Sequence, residues 1–370
     1  MATRLLFIDN LRVCLTILVV AHHAAQLYGP TGGVWPIVNP ERAAILDPFF
    51  AVNAAFFMGL FFLISGYCLP AAYDSKGMQQ FLLSRFQRLG IPLVFFSLLV
   101  FPIVLYRLDT PSVSFFAFIM QTYLHPLNIE VAHLWFLVHL LVYAVCYSLW
   151  RQISRQHRWH IAGLANCLGS HPMVAYLLSL TSITFLVRIK YPIDRWVQLF
   201  GCVPTEVAHL PQYASLFVIG IMAARCSWLR QITKTQGFLW LGIGLIATLL
   251  RYVYSFANLP DIIAGGGWDW RSAVWSGWEA TICVGLCMGL LILFREMLNF
   301  QNKVLRILSN NAYTVYLIHL LVILYLQLIF AHNSIEPLAK FSLVTLIGVP
   351  LCFGVSSLLR KLPLVRQVLS

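Results

Sequence analysis

Arg12 and His23 stand 11 residues apart in an otherwise largely apolar stretch that opens Asp9-Asn10-Leu11-Arg12 and ends His22-His23. At 100° per residue, 11 positions turn a helix about 20° past three full turns, so the two side chains share one face. His23 then lies roughly 16 Å further along the axis than Arg12. Histidine is the commonest general base near neutral pH. Deep in a membrane span it is costly unless it faces a polar interior or a water-filled path. Arg12 has a plainer alternative, a side chain that snorkels to headgroups. His22 points about 100° away and reads as structural. Asp9 joins the group as a supporting candidate.

A second constellation is Arg85-Phe86-Gln87-Arg88. Residues at i,i+3 lie on one side of a helix turn. The planar fork of arginine suits paired phosphate oxygens, which makes Arg85 and Arg88 candidate phosphate binders. The plainer alternative is a basic anchor at a membrane edge. Three further polar residues interrupt apolar stretches: His139, Glu279 and His319. Each is a supporting candidate by its place in a span. Glu279 is placed to pair with Arg251. For His139 and His319, hydrogen bonding between helices is the plainer reading.

The elements that must position these groups are membrane helices. The chain has 370 residues, 60% hydrophobic and 10% charged, where a soluble domain is nearer a quarter charged. Mean hydropathy is +0.79. Ten candidate spans run over about 11–28, 49–70, 91–106, 132–150, 173–187, 211–226, 237–256, 273–294, 312–330 and 341–359. The segment 113–123 suits a re-entrant or interfacial helix. The expected fold is all-α, a polytopic bundle of about ten transmembrane helices, forming a single domain over 1–370. The first span reads as an uncleaved helix rather than a signal peptide, because histidines and many more spans follow it.

Charge gives the bundle a direction. With the N-terminus inside, the inner segments hold Arg4, Arg12, Lys76, Arg85, Arg88, Arg151, Arg155, Arg158, Arg225, Arg230, Lys234, Arg295, Lys303, Arg306, Arg360, Lys361 and Arg366, or 17 of the 25 basic residues. Only Asp9, Asp74 and Glu296 of the 13 acidic residues fall there. Both termini are therefore expected in the cytoplasm, in a cell (inner) membrane. On a soluble protein the net charge of +12 would suggest nucleic acid; here it sets orientation, and no nucleic-acid partner is expected. Nine scattered cysteines suggest neither a disulfide framework nor a metal site. No P-loop, GxSxG, HExxH or Rossmann pattern occurs. Gly265-Gly266-Gly267, beside Trp268 and Trp270, lacks the strand–helix setting of a phosphate cradle. Aromatic outer loops of this kind suit a sugar or a lipid.

Several stretches, in order, resemble the integral-membrane acyltransferase-3 family. Phe7-Ile8-Asp9-Asn10-Leu11-Arg12 with His23 is similar to its first-helix signature. Phe61-Phe62-Leu63-Ile64-Ser65-Gly66-Tyr67 resembles its second helix, and Arg85-x-x-Arg88 its third motif. His133-Leu134-Trp135-Phe136-Leu137 resembles a stretch of the periplasmic-glucan succinyltransferase branch. Tyr213–Gly220 and Tyr313–His319 resemble later helices. The resemblance implies an O-acyltransferase that moves an acyl group, commonly acetyl, from acyl-CoA to a hydroxyl of a carbohydrate, glycolipid or other acceptor. It implies Arg12 and His23 as the essential pair, Arg85 and Arg88 as donor-binding residues, and no metal. A rival reading is a proton-coupled transporter or flippase, since intramembrane histidines also relay protons. A third is a structural subunit that recruits a soluble enzyme.

Overall fold

A computed structural model describes residues 5–30, 35–37, 39, 41–109, 112–124, 129–157, 170–257, 262–331 and 333–369. Arg4, Arg158, the side chain of Arg155 and Cys167 lie outside the described residues. The order of elements is α1 Leu6–Gln26, α2 Asp47–Arg85, α3 Ile91–Phe95, α4 Phe101–Asp109, α5 Phe115–Phe118, α6 Trp135–His157 and α7 Ser170–Lys190. An antiparallel hairpin follows, β1 Trp196–Leu199 and β2 Val203–Glu206. The chain continues with α8 Leu210–Arg225, α9 Trp228–Gln231, α10 Lys234–Phe256, α11 Trp270–Met297, α12 Lys303–Phe330, α13 Pro337–Leu359 and α14 Pro363–Leu369. This is an all-α polytopic bundle, and the hairpin is its one sheet among the described residues.

Nine helical runs among the described residues are long and apolar enough to cross a membrane. The ten expected spans condense to nine because 49–70 and 91–106 both fall in one run, Ala44–Leu108. As one straight helix its 65 residues would reach roughly 100 Å, far beyond a hydrocarbon core of about 30 Å. Gly77 breaks it. Its φ of 72° and ψ of 171° are open in practice only to glycine. The short span 173–187 extends to the full length of α7. Segment 113–123 forms only a brief helical stretch continuing from α5 to Tyr123, too short to cross.

Close packing assembles the bundle, as it must where lipid is as apolar as the side chains. A Cβ on Gly66 of α2 would sit 2.1 Å from the Phe217 carbonyl of α8, and one on Gly220 would sit 2.1 Å from the Leu63 carbonyl. The two backbones therefore cross in direct contact. Helix α1 packs against α12, α13 and α11. The Asn10 side-chain amide donates to the carbonyls of Leu298 (2.7 Å) and Phe300 (2.8 Å), tying the start of α1 to the end of α11. The eight described cysteines are all free thiols.

Candidate active site

His23 meets two other histidines inside the bundle. Its Nδ1 lies 2.9 Å from the Val19 carbonyl and 3.2 Å from Nε2 of His319. Nδ1 of His319 lies 2.6 Å from the Tyr316 carbonyl. A carbonyl only accepts, so both Nδ1 atoms carry the proton. His319 Nε2 is then an acceptor for His23 Nδ1–H, and the Nε2 lone pair of His23 is left without a partner among the described residues. The His133 ring stands 4.7 Å from that of His319 and 6.4 Å from that of His23, between centroids. Its Nε2 donates to the Leu317 carbonyl at 3.2 Å, so its Nδ1 is also a lone pair, with no partner among the described residues. Among those residues no group of three or more His, Cys, Asp or Glu is disposed to hold a metal ion.

Other polar contacts fix this cluster. The Gln327 amide donates to the carbonyls of His23 and Ala24, both at 3.2 Å, and its oxygen accepts from the Trp35 indole at 3.0 Å. The Tyr316 hydroxyl donates to the carbonyl of His133. His22 packs against Phe49, Phe50 and Phe57. His139 donates through Nδ1 to the Trp135 carbonyl at 2.9 Å and meets the Thr205 hydroxyl at 3.1 Å. It ties α6 to the hairpin rather than joining the histidine cluster.

A cavity of about 1210 Å³ opens beside His23. His22, His133, His209, Trp35, Trp135, Tyr213, Trp275 and Tyr316 line it, together with Asp47, Glu130, Asp194, Glu206 and Glu279. Its described lining does not reach Arg12, Arg85 or Arg88. Those arginines gather at the other end of α1, close enough to act on one another electrostatically, with Arg360 near Arg88. Arg12 bonds Asp9 Oδ1 at 3.4 Å and the Cys68 sulfur at 3.0 Å. Arg85 lies over the Phe81 ring, and Arg88 over the Tyr313 ring. Neither has a carboxylate partner among the described residues.

The expected pairing of Glu279 with Arg251 is corrected. Glu279 bonds the guanidinium of Arg188, which is fully buried, and accepts from the Trp275 indole at 2.8 Å. Arg251 instead pairs with Asp47 at the start of α2. His209 lies between Glu206 (2.9 Å) and Glu279 (3.5 Å). Burial alone would raise the Glu206 pKa, but His209 beside it outweighs burial and leaves that carboxyl below its ordinary value. Arg188, Glu206, His209 and Gln327 were missed in the sequence. Removing one partner of a buried pair strands the other charge. Arg188→Met is therefore expected to cost about 3–5 kcal/mol, and pairing it with Glu279→Gln should recover much of that loss. Thermal unfolding of the two variants in detergent measures the difference.

A family model described as an acyltransferase domain, of the acyltransferase-3 family, matches residues 5–359. The chain is 25% identical over 332 residues to proteins named glucans biosynthesis protein C from Salmonella schwarzengrund, Salmonella heidelberg and Salmonella typhi. Each alignment covers 86% of this chain and 82% of the relative. No solved structure matches the chain significantly. The match across nearly the whole length, on a bundle built around buried histidines, leads to one conclusion: the chain belongs to the acyltransferase-3 family and is a membrane-embedded O-acyltransferase.

Proposed function

We propose that the protein transfers an acyl group, in the first instance acetyl, from acyl-CoA on its arginine-rich face to a hydroxyl of a carbohydrate or glycolipid held in the cavity. The observation that carries this reading is the unused Nε2 lone pair of His23 beside a large cavity, with its Nδ1–H fixed by Val19 and His319. Arg85 and Arg88, with Arg12, bind the phosphates of the donor from the cytoplasm. The positive-inside bias supports that orientation in the inner membrane. The thioester arm then extends along α1 towards His23, a distance of roughly 16 Å.

His23 Nε2 removes the proton of the acceptor hydroxyl as its oxygen attacks the thioester carbonyl. The new C–O bond forms and the C–S bond breaks. The proton then passes to the departing thiolate, which leaves as the free thiol of CoA. During the step the imidazolium shares its Nδ1–H with Val19 and with the lone pair of His319, a neutral counterpart of the carboxylate that orients histidine in hydrolase triads. The names of the relatives support a glucan-type carbohydrate as the acceptor class.

The test is acyl transfer by the purified protein in lipid nanodiscs. With acetyl-CoA and a glucose oligosaccharide, free thiol should appear together with a product heavier by one acetyl group. Movement of an unchanged oligosaccharide across proteoliposomes, without thiol release, would assign a transporter instead.

A further inference from the structure

The hairpin presents one face to the cavity. Strand side chains alternate between faces, and the register pairs Trp196 with Glu206 and Gln198 with Pro204. These four residues all line the cavity. Behind them the Trp196 ring meets Trp135 at 5.6 Å and 70°, and Trp135 stacks on Tyr213 at 5.4 Å and 28°. The result is an aromatic wall leading from the hairpin into the bundle. Aromatic surface with a few converging polar groups is the usual make-up of a small-molecule site.

The charge of the chamber is predominantly negative. Among its described lining residues are five carboxylates, on Asp47, Glu130, Asp194, Glu206 and Glu279, and no lysine or arginine. His209, between Glu206 and Glu279, offsets part of that charge. Two carboxylates have a guanidinium partner, Arg251 for Asp47 and Arg188 for Glu279, but both cations are buried outside the lining. An anion entering would meet acceptors and negative charge in a low-dielectric space. A hydroxyl meets the opposite situation, because carboxylates and the Gln198 oxygen accept its proton.

We propose that this side of the cavity is a subsite for an uncharged, polyhydroxylated sugar ring, stacked on Trp196 and Trp135 and held through Gln198 and Glu206, and that it rejects sugars bearing carboxylate or phosphate. The proposal rests on the reading of the cavity as the acceptor chamber and narrows the acceptor to neutral glycosyl units. It also separates the two substrates by charge, since the phosphates that the arginine face attracts are repelled here.

Binding alone tests it. Neutral trisaccharides of glucose, mannose and galactose are titrated calorimetrically into the protein in nanodiscs, beside counterparts carrying a C6 carboxylate or a C6 phosphate. At least one neutral trisaccharide should bind at least tenfold more tightly than its charged counterparts. Trp196→Ala should weaken that binding tenfold or more, and Gln198→Lys should narrow the gap between neutral and anionic sugars. Equal or tighter binding of the anionic forms, no saturable binding of any neutral trisaccharide, or an unaffected Trp196→Ala variant overturns the proposal. Neutral binding without any thiol release would leave the subsite standing and sink the transferase mechanism. Transfer to anionic sugars alone would do the reverse.

Discussion

Replacing His23 with glutamine is expected to lower acyl transfer by about 10²–10⁴-fold, the usual contribution of a positioned general base. Glutamine keeps a polar head of similar reach but cannot take up a proton. The loss should fall on kcat, because in the proposed mechanism the His23 Nε2 lone pair acts in the transition state rather than in donor binding. His22→Gln is the control: His22 packs among phenylalanines, so transfer by folded protein should change far less. Initial rates of thiol release, with thermal unfolding of each variant alongside, make the comparison. Normal transfer by a well-folded His23→Gln variant would remove histidine from the chemistry. Loss that merely tracked lost folded protein would give it a structural place.

The second large effect concerns the donor. The double variant Arg85→Gln/Arg88→Gln is expected to raise the KM for acetyl-CoA by tenfold or more. A hydrogen bond to a charged group is worth about 1.5–3 kcal/mol, and each 1.4 kcal/mol is a factor of ten. The kcat at saturating donor should stay near its original value, because phosphates far from the thioester are bound equally in ground and transition states. A truncated thioester without the nucleotide supplies the control. Wild type and double variant should use it with similar, poor efficiency. A double variant with unchanged KM for acetyl-CoA would mean that these arginines only anchor the bundle.

Much of the frame was readable because membrane physics writes it into single segments. Apolar length gave the spans, although two of them fall in one helical run, Ala44–Leu108, which Gly77 breaks. Helix periodicity put Arg12 and His23 on one face, and α1 bears them at opposite ends of the proposed route. Arg12, Arg85 and Arg88 do gather, which follows from spans that begin and end on the same side. Pairings between distant helices were not readable. Arg188 sits two residues from Lys190 at the end of a short span, where cations are usually anchors. Nothing local tells it to turn inward to Glu279, 91 positions away. Glu279 was therefore given the wrong partner, since Arg251 looked equally available. The hairpin escaped notice because its strands are four residues each, too short to show alternation. His133 was visible only within a resemblance, and Gln327 had no signal beyond being polar in an apolar run.

Helix α12 carries Tyr313, Tyr316 and His319 at intervals of three. The Tyr313 hydroxyl donates to the Arg88 carbonyl, the Tyr316 hydroxyl to the His133 carbonyl, and His319 faces His23. One rigid rod thus touches the proposed donor edge, the middle of the bundle and the proposed base in turn. The six-residue interval from Tyr313 to His319 spans roughly 9 Å of helix rise. Relatives that keep this interval would hold a common gauge for the donor arm, and the hairpin, built from a separate part of the chain, would be free to change which sugar is admitted.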